Sequence, residues 1–134
     1  MTFVLSNGLR RTLTIDAVVS AASALLLLFA GDELAQWLAI PEMLLRYAAI
    51  LLVPFAIYVG TLARRETVTR SGVAAVIGMN IAWVVASVWL VLARSVRPSP
   101  VGYVFIVGQA LAVALLAELQ YMGLRRATPR SVAA

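Results

Sequence analysis

The chain has 134 residues, of which 63% are hydrophobic and 13% charged, with a mean hydropathy of +0.96 and a formal net charge of +5. A soluble domain carries about 25% charged residues, and the longest stretch outside the apolar runs is too short for a catalytic domain. Cysteine, histidine and lysine are absent, which excludes disulfides, thiolate nucleophiles, Schiff bases, histidine-ligated haem and ordinary zinc or copper sites.

Residues 1–9 form a short start in which Phe3, Val4 and Leu5 can lie in a membrane interface. The first apolar run predicts a transmembrane helix over about 12–30. A bilayer core takes about 20 apolar residues. No small-x-small cleavage site follows the run, so it reads as an uncleaved span rather than a signal peptide.

Next, Leu34, Trp37 and Leu38 fall at i, i+3, i+4, with Asp32 and Glu33 before them and Pro41 after. This predicts a short interfacial helix over about 32–40, anchored by Trp37.

The second span is expected over about 43–63 and contains Pro54, which frees a carbonyl near Ile50 and favours a kink. The third, about 71–93, carries Gly78, Ala82 and Ala86 at spacing four, a small-residue stripe that permits close helix approach. Asn80, Trp83, Val84 and Ser87 are its neighbours. The fourth, about 101–124, has Ala110 and Ala114 at the same spacing. Both stripes can serve a tight antiparallel hairpin of the third and fourth helices, or a contact between copies. Tyr58-Val59-Gly60 and Tyr121-Met122-Gly123, each followed by an arginine pair, form a weak internal echo. The fold class is therefore all-α: one polytopic membrane domain over 1–134, a four-transmembrane-helix bundle with an interfacial helix in its first outer loop.

Arginine sets the orientation. Arg10, Arg11, Arg64, Arg65, Arg70, Arg125, Arg126 and Arg130 share one side, whereas Arg46, Arg94 and Arg97 lie on the other. The positive-inside rule puts both termini in the cytoplasm of a bacterial inner membrane. The arginines flank helix ends rather than forming a patch, so nucleic acid is not an expected partner.

Polar residues within the spans are the candidate sites. An Asp at a helix centre costs roughly 2.5–3.5 kcal/mol and less near an end. Asp16, Asn80 and Glu118 all fall in the cytoplasmic third, where they can cluster. Such a cluster serves a proton or cation relay, or a structural pairing in which Asp16 meets Arg11 and Glu118 meets Arg125. Gln109 stands on the face of its helix opposite Glu118, where Ser87 or a freed carbonyl can meet it. Trp89 suits an aromatic belt, as Trp37 does. Trp83 lies deeper, and its N–H needs an acceptor. With Pro54 and Gln109 it can also line a pocket for a lipid or quinone. No catalytic or metal-ligating set can be assembled, and no cofactor is expected.

The length and four-span plan resemble the small multidrug resistance transporters. Those depend on a glutamate deep in the first helix, and the acid in that helix here is Asp16, near its end. Leu44-Leu45-Arg46-Tyr47-Ala48-Ala49, Leu52-Val53-Pro54-Phe55-Ala56 and Ala117-Glu118-Leu119-Gln120-Tyr121 are similar to segments of uncharacterised bacterial four-helix integral membrane proteins of no assigned function. That resemblance implies a fold and a membrane location but no activity. The expected role is non-enzymatic: an accessory or scaffold subunit in contact with membrane lipids, associating with itself or a larger membrane complex. The alternatives are a dimeric proton-coupled transporter of small lipophilic cations and a lipid- or quinone-binding protein.

Overall fold

The computed structural model describes residues 2–94 and 96–127; Arg130, counted among the cytoplasmic arginines, lies outside them. The elements are β1 (Thr2–Val4), α1 (Asn7–Leu38), α2 (Glu42–Arg64), β2 (Thr67–Thr69), α3 (Arg70–Leu92) and α4 (Pro100–Arg126). All four helices are long and apolar enough to cross a membrane.

Helix α1 is the organising element. Its buried residues Leu9, Leu13, Asp16, Ser20, Ala24, Leu27 and Gly31 recur every three or four positions, a single inward line. It packs most extensively on α2 and also on α4, while α3 packs chiefly on α4 and meets α2 mainly near its own start, where Tyr58 Oη donates to Gly72 O at 3.0 Å. Gly60 of α2 meets Ala17, and Gly123 of α4 meets Leu9, so both glycines of the internal echo face α1.

The first helix begins earlier than its apolar run. Ser6 caps it by accepting from Leu9 N at 3.2 Å, and Arg10 donates to the Ala63 carbonyl at the end of α2. It also ends later. The segment expected to form a separate interfacial helix continues α1 beyond a kink at Ala30, where φ is −120° and ψ 18°. Leu38 is buried and Leu34 half-buried, whereas Trp37 is 75% exposed. Pro54 does not interrupt α2.

Two ties close the ends of the bundle. At one end β1 pairs antiparallel with β2, Phe3 opposite Val68, and Leu5 N donates to Glu66 O at 2.9 Å. Phe3 and Leu5 are buried in a cluster with Leu9, Leu13, Val59 and Val73, not in an interface with lipid as expected. Burial of these two side chains within the protein is the better solution because the ribbon also pairs their backbone groups.

At the other end Ser99 caps α4, accepting from Gly102 N and donating to Trp37 O at 2.8 Å. Ser99 N donates to Leu38 O at 3.0 Å. A Cβ on Gly102 would lie 2.2 Å from that same carbonyl oxygen, so glycine is required for the approach.

Candidate functional site

The inward lines of three helices meet at a polar centre. Asp16 of α1 is 2% exposed, Asn80 of α3 is 3% and Gln120 of α4 is 0%. Asn80 Nδ2 donates to Asp16 Oδ2 at 2.8 Å and to Gln120 Oε1 at 2.9 Å. Gln120 Nε2 donates to Asp16 Oδ2 at 2.7 Å. Ser20, one turn along α1, sets its hydroxyl 3.5 Å from Oδ1. The carboxylate thus receives neutral donors from two other helices. Among the described residues the one ion pair is Arg46–Glu42 at 2.9 Å, so neither Asp16–Arg11 nor Glu118–Arg125 forms.

Asp16 and Asn80 come together as the sequence suggested, but Glu118 is not the third member. It is exposed on α4, and Gln120 takes its place. Glu118 and Gln120 are two positions apart, about 200° around the helix, so one of them turns outward when the other turns in. An ionised carboxylate offers no donor to Asp16, whereas an amide does.

A second polar node lies farther along the α3–α4 contact. Trp83 Nε1 donates to Gln109 Oε1 at 2.7 Å. Gln109 Nε2 donates to Ser87 Oγ at 3.0 Å and to Ile106 O at 2.9 Å. Ser87 Oγ donates to Trp83 O at 2.8 Å. The indole N–H thereby has its acceptor within the protein. Pro54 sits exposed on α2, which meets α3 mainly near Gly72 and not near Trp83, so Trp83 and Pro54 do not share a pocket. Trp89 is exposed on α3, as Trp37 is beyond the α1 kink.

The two nodes decide how α3 is turned. Val76, Asn80 and Ser87 face inward with Trp83 half-buried beside them, and Gly78, Ala82 and Ala86 are exposed. The α3 stripe therefore does not make the hairpin contact. Asn80 and Ala82 are two positions apart and point in nearly opposite directions. Leaving Asn80 or Trp83 without partners costs more than losing a close-packed seam, so the polar line turns in. On α4, Ala110 is buried and Ala114 half-buried along the seam with α3. A Cβ on Gly78 would meet nothing within 4 Å.

No protein-family model, no curated protein and no solved structure matches the chain.

Proposed function

We propose that the chain is a non-enzymatic subunit of a bacterial inner membrane. It spans the bilayer four times with both termini cytoplasmic and associates through its helix faces with itself or a larger membrane complex. The segment after the Ala30 kink lies on the outer leaflet with Trp37 as its anchor. The observation that carries the reading is the outward line of Gly78, Ala82 and Ala86 on α3. In lipid, small residues favour association by letting helix backbones approach, and this line is exposed, with no partner helix among the described residues. Replacing Gly78 and Ala82 together by leucine is expected to leave the fold intact and to reduce assembly. Native mass spectrometry from mild lipid-preserving extracts reads the outcome. An unchanged assembly in the double variant refutes the use of this face.

A second reading is favoured by a different observation. A carboxylate inside the bundle without a basic partner among the described residues suits a dimeric proton-coupled transporter of small lipophilic cations. The test is Asp16→Asn in liposomes. Loss of gradient-driven uptake with folding retained supports the reading, and absence of uptake by the unmodified protein removes it.

A further inference from the structure

The seam between α3 and α4 opens outward as a groove with an acid in it. Two adjoining hollows of about 280 and 320 Å³ share Val84 and Ala114. Together they run from Ile106 to Tyr121 of α4, about 22 Å at 1.5 Å per residue. The α4 side is floored by Ala110, Ala114 and Ala117, and Glu118 stands on the wall near Tyr121. The other lining side chains are apolar except Ser87, whose hydroxyl is already bonded to Trp83 and Gln109.

Glu118 lies seven residues before Arg125, about 10 Å farther into the span along the helix axis. Arg125 is on the same side of α4 but two turns away, and no ion pair joins them. On α3, between Arg70 and Arg94, there is no basic residue. An exposed carboxylate at this depth faces hydrocarbon unless something supplies a positive charge or donors.

We propose that this groove seats a transmembrane helix of another chain, which presents an arginine or lysine to Glu118. The proposal rests on the association reading above and names the chemistry of the partner. Charge complementarity selects it. Acyl chains bring no donor. A second copy in the same orientation brings no basic side chain to that depth, because residues 12–45, 47–63, 71–93 and 101–124 contain none. The alanine floor lets a helix backbone come close, and the length of the groove matches most of a bilayer core.

The test places a photo-crosslinking p-benzoylphenylalanine at Val85 or Leu111, both exposed on the groove, and at Leu51 on α2 as a control. Irradiation is done in native membranes, and adduct peptides are sequenced. The expected adduct at the groove positions, absent at Leu51, is an apolar segment of another protein with an Arg or Lys in its cytoplasmic third. Glu118→Leu lowers its yield about tenfold, the effect of one charge-assisted contact, and Glu118→Asp retains it. Replacing the partner's basic residue by leucine gives the same loss. An adduct that is indifferent to Glu118→Leu, or a segment without a basic residue, overturns the proposal. Adducts only to a second copy overturn it and leave association standing. Adducts only to lipid, with a monomer in native mass spectrometry, overturn both.

Discussion

Asp16 is surrounded by neutral hydrogen-bond donors, and among the described residues it has no partner with a full positive charge. Its two amide donors also bond to each other, so the three side chains form a closed ring linking α1, α3 and α4. Removing one member strands the others. Asn80→Ala should destabilise the fold by about 1–3 kcal/mol, read as a fall in the thermal midpoint in detergent or nanodiscs. Asn80→Gln should lose less, and an Asn80→Ala variant as stable as the parent would show that the ring is dispensable. A steric contrast is available among the glycines. Gly102→Ala forces a methyl to within 2.2 Å of Leu38 O, against backbone that cannot yield, whereas Gly78→Ala enters open space. The first should cost stability markedly and the second should leave the isolated chain unchanged. At this scale the sequence was partly legible. Asp16, Asn80, Gln109 and Ser87 stood out as polar residues in apolar runs, and they meet in two separate pairs, Asp16 with Asn80 and Gln109 with Ser87. Gln120 did not stand out beside Glu118, because charge draws attention and a neutral amide at a helix end resembles a surface residue. The signal available was helical phase: Ala110, Ala117, Gln120 and Leu124 share the inward line of α4, and Glu118 falls off it.

The elements differ in how openly the chain announces them. Four runs near bilayer length can hardly be anything but helices, and their ends are where reading failed. Ser6 and Ser99 set the true starts of α1 and α4, outside the apolar runs. The α1 end is fixed by tertiary ties at Trp37 and Leu38 that no local pattern contains. The ribbon was missed because each strand has three residues and its partner is more than sixty positions away. Alternation in Thr67-Val68-Thr69 and the β-favouring residues Thr2-Phe3-Val4 were the available hint, too short to separate from chance. Phe3 is fully buried in this ribbon, so Phe3→Ala should destabilise by about 3–5 kcal/mol. The expected readout is a lower thermal midpoint with helix content retained below it. No change would mean that the ribbon adds little to the bundle. Ala39 offers the opposite sign. It holds the C-cap of α1 at φ 53°, ψ 42°, a left-handed geometry that costs a residue with a Cβ roughly 1 kcal/mol. Set against the added unfolded-chain entropy of glycine, Ala39→Gly should therefore raise stability by about 0.5–1 kcal/mol, with a raised thermal midpoint as the check.

Across the whole molecule, α1 packs on both α2 and α4, and α3 packs chiefly on α4 while its Asn80 reaches Asp16 of α1. That order places the ribbon and the Asp16 ring toward one end, and the Ser99 tie with the exposed Trp37 at the other. The ends also differ in charge. Arg10, Arg11, Arg64, Arg65, Arg70, Arg125 and Arg126 sit at the ribbon end, against Arg46, Arg94 and Arg97 at the other. If the positive-inside rule governs insertion, the ribbon end is cytoplasmic. The chain is suited to a direct test because it has no native cysteine. Gln36→Cys falls on the exposed segment after the α1 kink, and Glu66→Cys on the exposed turn that leads into β2. A membrane-impermeant maleimide applied to intact spheroplasts should label the first and leave the second untouched until the membrane is opened. Labelling in the reverse order would invert the topology and place the Asp16 ring toward the outer leaflet. Labelling of both before lysis would deny that the four helices separate the two ends across a bilayer, and would withdraw the membrane setting on which the Glu118 pairing depends.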